Sequence, residues 1–388
     1  MTETKYIRPN TSLIAFFSNK VKHNGGINFA QGLPGFAPPK ELLEILKEKT
    51  KENVHQYAPS NGDLKLSNLL LQKYNSKYKT NFDASNTLIT NGATEAISLA
   101  FIYLWNKYGD MLNVLSMNPV YESYSNLPRI YHCKHFVYNY SDNNSVDIDL
   151  LENQIKENAI KLIFIGTPGN PMGKIWNKTD FDKLVELSRK YQFYIIIDAV
   201  YNELYFNEET YLPLNNLADN IFYVNSFSKS LSITGWRVGY LICETEIMKK
   251  IRNIHDYTAL SSSHPLQSCI AEFLEKYDFG KTYISETRER IKQSHERISK
   301  SLLKLGFEIP PIDGGYFIWT KLPKQFTDGF RFAIDLYDEK KVSIVPGIHF
   351  NENANDFIRI NVARLDEEIE EGIKGINEYF NGIYNKHE

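Results

Sequence analysis

Several short runs in this chain are apolar at nearly every position, the pattern of strands buried on both faces. Leu162 to Gly166 and Tyr194 to Asp198 read this way, as do Asn113 to Met117 and Ile221 to Asn225. Leu88-Ile89-Thr90 forms a shorter strand, and Asn91-Gly-Ala-Thr-Glu95 opens a long apolar helix through Trp105. Helical spacing covers Lys65 to Tyr78 and Lys178 to Tyr191. This alternation predicts the α/β class, with a mostly parallel sheet covered by helices on both faces. A ligand is then expected beyond the carboxyl ends of the strands.

The two ends of the chain differ from this middle. Residues 1 to about 40 read as loop-rich, because Gly32-Leu-Pro-Gly-Phe-Ala-Pro-Pro39 suits neither helix nor central strand. A helix is expected from Lys40-Glu41 towards Glu52, then a polar turn at Gln56-Tyr-Ala-Pro-Ser-Asn-Gly62. After about residue 280 a charged helix, Tyr283 to Leu305, leads into strands at Tyr316 to Thr320, Val342 to Val345 and Phe357 to Asn361. A final helix follows Asp366. The expected division is an N-terminal arm with part of a small domain (1–40), a large domain (41–280) and a C-terminal small α+β domain (281–388).

Composition narrows the function. The net charge of −3 over 388 residues, with no basic run, argues against nucleic acid as a partner. No apolar run approaches membrane-spanning length, and the first residues lack a signal-peptide pattern. The three cysteines are scattered and the nine histidines form no ligand motif, so no metal is expected. A reducing cytoplasm fits best.

The chemistry concentrates in Ser226-Phe-Ser-Lys-Ser-Leu-Ser-Ile-Thr-Gly-Trp-Arg-Val-Gly239. After the strand comes a serine-rich turn, which reads as neither surface nor helix and carries Lys229; Arg237 follows between glycines. Lysine forms Schiff bases with carbonyls, while arginine and hydroxyls suit a phosphate. Together they point to pyridoxal 5′-phosphate (PLP). Other strand ends supply matching groups. Gly92, Ala93 and Thr94 open a helix whose N–H groups favour phosphate. Tyr121 suits stacking on a flat ring, and the Asn170 amide suits donation to a phenolate oxygen. Asp198 ends an apolar strand and needs a cationic or donor partner, which a protonated pyridine nitrogen provides; Tyr201 follows it within reach of the ring. Arg359, inside an apolar strand, suits an α-carboxylate. Each has a blander alternative: a capped helix start, a packing tyrosine, a turn, a structural ion pair.

These motifs resemble the class I/II aminotransferases of fold type I, over a span from Asn28 to about Asp366. The resemblance implies a seven-stranded, mostly parallel sheet in a large PLP-binding domain. It makes Lys229 the Schiff-base lysine and proton shuttle, and gives Asp198 the pyridine nitrogen and Tyr201 and Asn170 the phenolate. Ser226, Arg237, Thr94 and the amides at Gly92 and Ala93 would hold the phosphate, and Tyr121 would stack on the ring. Arg359 and the backbone near Gly32 would take the substrate carboxylate, with Asn170 beside it. Tyr57 matches a tyrosine that reaches the partner subunit's phosphate, which implies a homodimer.

Within the family, Ile27 to Phe36, Gln56-Tyr-Ala-Pro59 and Thr234 to Tyr240 are most similar to the kynurenine, glutamine and methionine aminotransferases. That implies ping-pong transfer from an aromatic, methionine- or glutamine-type donor to a 2-oxo acid. Ala199 and Gly169 depart from the family pattern beside the cofactor. A carbon–sulfur β-lyase, a biosynthetic enzyme acting by elimination or oxidation, and a non-catalytic PLP-binding regulator therefore stay open.

Overall fold

A computed structural model describes residues 6–141 and 144–384. The first five residues of the expected N-terminal arm and the last four of the C-terminal domain lie outside this range.

The strands in chain order are β1 (Ile27–Asn28), β2 (Thr87–Thr90), β3 (Val114–Asn118), β4 (His135–Asn139), β5 (Leu162–Gly166) and β6 (Tyr194–Asp198). They continue with β7 (Ile221–Ser226), β8 (Gly239–Ile242), β9 (Phe317–Lys321), β10 (Val342–Ser343), β11 (Val345–Pro346) and β12 (Phe357–Asn361). Among the described residues, the large sheet has seven strands in the order β2-β8-β7-β6-β5-β3-β4. Only β8 runs against the others.

Successive side chains of the central strands enter different cores. Ile195 and Ile197 pack on one side of the sheet, whereas Ile196 packs on the other with Phe164, Phe222 and Val224. Helices cover both faces, so the strands read as unbroken apolar runs. Each fully buried isoleucine contributes roughly 1.5–3 kcal/mol. The helix Gly92–Tyr108 lays Ala96, Leu99, Ala100 and Tyr103 onto the second face.

A third core joins the two ends of the chain. Leu13, Phe17 and Phe29 pack there with Ile298, Phe332, Ile358 and Phe380. β1 pairs in parallel with β10, and β11-β12-β9 forms an antiparallel sheet.

Three expectations need correction. The N-terminal stretch is not all loop, because Leu13–Asn24 is a helix burying Leu13 and Phe17. The Gly/Pro cluster at 32–39 masked that i, i+4 pair. The expected strand Val342 to Val345 breaks at Ile344, because β10 and β11 serve different sheets. Lys229 sits not in a plain turn but in a one-turn helix, Phe227–Ser230. The apolar pattern also did not single out β1, β4, β8 or the helices Glu122–Ile130 and His264–Lys276.

Candidate active site

The carboxyl ends of β2, β3, β5, β6 and β7 line up along one edge of the large sheet. Because β8 is reversed, its first residue, Gly239, reaches the same edge and pairs with both Thr90 and Ser226. A cavity of about 260 Å³ opens there. Its lining includes Gly32, Ala93, Thr94, Tyr121, Asn170, Asp198, Tyr201, Ser226, Lys229, Arg237 and Arg359. Gly92 lies just behind this wall, and Tyr57 is elsewhere, with 79% of its surface exposed.

Lys229 Nζ donates to the Gly32 carbonyl at 2.8 Å. Burial pushes its pKa down to about 8, against the pull of Asp198 and with repulsion from Arg359 and Arg237. A usable share of neutral amine therefore exists near neutral pH. The rate at which apoprotein takes up PLP should rise about tenfold per pH unit below pH ~8 and level off above it. Stopped-flow absorbance across that range checks this; a profile still rising in proportion beyond pH 9.5 contradicts it.

Asp198 is 7% exposed. Tyr124 OH donates to its Oδ2 at 2.8 Å, and Val200 N–H to its Oδ1 at 3.3 Å. Burial raises its pKa, while the Tyr124 hydrogen bond opposes the rise. Among the described residues, no cationic side chain lies within ion-pair distance of it. The carboxylate is thus presented to the cavity with charge to offer. Tyr124 was missed by sequence reasoning; it lies in the first turn of the helix Glu122–Ile130, three residues after Tyr121.

At the far end, the helix Gly92–Tyr108 starts without a side-chain cap. Arg237 folds over this start, its Nη1 donating to Thr234 O at 3.1 Å and its Nη2 to Asn91 O at 3.2 Å. Ser226 sits alongside, its N–H held by Asn225 Oδ1 at 2.7 Å. Ser228 Oγ is buried without a partner. Unpaired helix N–H groups, an arginine and two hydroxyls together form an anion cradle.

The cradle leaves no room for a β-carbon at two glycines. A Cβ on Gly92 would come within 2.5 Å of Arg237 Nη2, and one on Gly239 within 2.6 Å of Gly92 C. Gly92 also has φ +77°, a backbone region costly for other residues. Gly92→Ala should lose about 1–3 kcal/mol of stability and let PLP dialyse away faster. Thermal melts and the retained cofactor content measure both effects.

Arg359 is fully buried, and burial pushes its pKa down to about 10. Its Nη1 donates to Asn170 Oδ1 at 3.1 Å, its Nη2 to Ala30 O, and its Nε has no partner. Among the described residues, no carboxylate lies within ion-pair distance. Gly32 O accepts from Tyr316 OH at 3.0 Å as well as from Lys229. Tyr201 stands edge-on to Tyr316, with ring centroids 5.1 Å apart, and burial holds its hydroxyl well above the usual phenol range.

The family described as aminotransferase class I and II matches residues 24–376 of this chain. A relative in Methanocaldococcus jannaschii, described as a probable aspartate aminotransferase, is 29% identical over 91% of this chain and 93% of its own length. The N-succinyldiaminopimelate aminotransferase of Mycobacterium tuberculosis superposes with a TM-score of 0.88 at 23% identity, covering 95% of this chain and 97% of that one. An Escherichia coli protein identified with a methionine aminotransferase function gives a TM-score of 0.86 at 24% identity, over 96% of this chain and 100% of that one. The span and specificity of the family match mean that the chain belongs to the class I and II aminotransferases, enzymes that depend on pyridoxal phosphate.

Proposed function

We propose that this protein moves the amino group of an L-amino acid with an aromatic, methionine- or glutamine-type side chain to a 2-oxo acid, in two ping-pong half-reactions. One observation carries the reading: a buried lysine amine of lowered pKa shares a cavity with a buried carboxylate and a buried arginine that, among the described residues, have no ion-pair partner. When bound, pyridoxal phosphate supplies a carbonyl for the substrate amine and a ring that accepts the electron pair left at Cα.

The residues present fit that group. Asp198 holds a proton on the ring nitrogen, and its carboxylate is available because only neutral donors occupy it. Tyr201 and Asn170 donate to the phenolate oxygen; the Asn170 amide nitrogen is free for this because its Oδ1 takes Arg359. Ser226, Arg237, Thr94 and the Gly92 and Ala93 amides hold the phosphate, and Tyr121 stacks on the ring. Arg359 takes the substrate α-carboxylate close to Gly32. Lys229 Nζ would take the proton from Cα and pass it to the carbon on the cofactor side of the transferred nitrogen. On this reading the large domain (41–280) carries the cofactor, and the C-terminal domain (281–388) with the arm (1–40) carries Arg359.

The side-chain preference has its own support. The cationic side chains lining the cavity are Lys229, Arg237 and Arg359, and each already has a task. Among the described residues lining this cavity no further cation is left for a distal carboxylate, and Glu122 in the wall repels one. Ile14, Ile97 and Val200 add apolar lining.

Mixing the holoenzyme with single amino acids, without oxo acid, tests the reading. Methionine, glutamine and phenylalanine should bleach the visible cofactor band and release their 2-oxo acids at least about tenfold faster than aspartate. Aspartate and glutamate as best donors would overturn the substrate class. Ammonia release in place of the 2-oxo acid from every donor would overturn transamination itself.

The exposed Tyr57 supports the homodimer, in which it reaches the partner subunit's phosphate. Sedimentation should give twice the chain mass, and Tyr57→Phe should weaken cofactor retention; a monomer that holds PLP tightly contradicts this. The three free, buried cysteines support a cytoplasmic protein.

A further inference from the structure

The Arg359 guanidinium lies over two rings, 4.2 Å from the centroid of Phe317 and 5.0 Å from that of Phe350. Phe317 belongs to β9, which pairs directly with β12, so its place is set by the sheet. Phe350 instead follows the short turn Gly347–His349, packs edge-on against Trp319 with ring centroids 5.8 Å apart, and has two further ties to another segment. Val120 N–H donates to Phe350 O at 2.9 Å. The His349 ring stands edge-on to Phe350 with centroids 4.7 Å apart, and its Nε2 lies 3.2 Å from Glu122 Oε2. Both ties therefore come from residues 120–122, the segment that presents Tyr121 to the cavity.

The pair is sheltered, with His349 8% and Glu122 30% exposed at their side chains. The His349 ring beside Glu122, with smaller help from Ser12 and Arg359, holds the carboxyl below the usual carboxylate range. The two atoms are close although the contact lies outside good ring N–H alignment, so it is their proximity that ties the turn to the segment. Arg359 has direct bonds at Nη1 and Nη2 but none at Nε, which leaves the tilt of its plane to the two rings.

We propose that Glu122 and His349 are positioning residues: their pairing fixes Phe350, and through it the Arg359 guanidinium, for the substrate carboxylate. This rests on Arg359 being the carboxylate site. The pair also ties the segment that presents Tyr121 to the cavity to the turn that carries Phe350, which lies against Arg359.

The probe is 3-phenylpropionate, a carboxylate without an amino group, titrated into holoenzyme and followed by the cofactor's spectrum. His349→Ala and Glu122→Ala should each raise its Kd about tenfold, because small misplacements of a binding group are costly. The KM of the amino donor should rise in parallel, with kcat changed less than about threefold and PLP content retained. The double variant should be no worse than the weaker-binding single, the signature of one shared interaction. His349→Gln should recover part of the loss. Phe350→Leu should reproduce it with the Glu122–His349 contact intact, and decides the matter if Glu122→Ala does not fold.

Independent, multiplying effects of the two singles would overturn the proposal. So would an unchanged Kd in both while Arg359→Ala raises it. An unchanged Kd in Arg359→Ala overturns the carboxylate assignment, and the positioning role with it.

Discussion

Lys229→Ala is expected to lower turnover about 10⁴-fold, the full reach of a positioned proton-transfer group. The variant should still bind PLP, because the anion cradle at Arg237, Ser226 and the helix start is untouched. Borohydride reduction followed by mass measurement separates the two effects. Wild-type chain should gain the cofactor's mass and the variant should not. Added small primary amines should restore part of the turnover if the missing function is proton transfer. Retained activity, or labelling of the variant at another lysine, would sink the assignment.

The same variant makes a stability prediction. In the apoprotein the Lys229 pKa is lowered from 10.5 to about 8 by burial, so the folded chain binds fewer protons than the unfolded chain between those values. Wild-type apoprotein stability should therefore rise with pH across that window. Lys229→Ala should lack this rise and be no less stable at neutral pH. The Gly32 carbonyl is not orphaned by the change, since Tyr316 OH still donates to it at 3.0 Å. Denaturant melts of both apoproteins at a series of pH values supply the test.

Asp198→Asn is expected to lower kcat/KM about 10²- to 10³-fold, the usual cost of removing a preorganised electrostatic partner. The substitution separates shape from charge. The amide oxygen can still accept from Tyr124 OH, so packing around the strand end stays satisfied. What is lost is the ability to hold a proton on the ring nitrogen. Asp198→Ala should be equally inactive but less stable, because it leaves the buried Tyr124 hydroxyl without its acceptor. Equal melting temperatures for the two variants would contradict that. Near-wild-type turnover in Asp198→Asn would mean that the ring proton needs no anionic partner here.

Much of the site was legible because strand-end chemistry is local in sequence. Asp198 is readable as the last residue of a run too apolar to face water. Lys229 is readable from its serines and from the glycine-flanked arginine eight residues on. The roles of Tyr124, Tyr316, Gly239 and the Glu122–His349 pair were not readable. Each depends on a partner between 74 and 284 residues away, as with Tyr124 on Asp198 and Tyr316 on Gly32, and no local pattern encodes such a meeting.

The sequence by itself determined the class of the fold, the central strands β2, β3, β5, β6 and β7 along the chain, and the residue types at their ends. Periodicity and turn chemistry act over a few residues, and those are what a single chain displays. Only the tertiary structure decided that β8 is reversed, which brings Gly239 to the anion cradle. It alone decided that Lys229 rests on the Gly32 carbonyl, and that Arg359 has no carboxylate of its own among the described residues. The reason is physical: charge left unpaired in a buried place is a property of everything packed around it, and that surrounding is assembled from both ends of the chain.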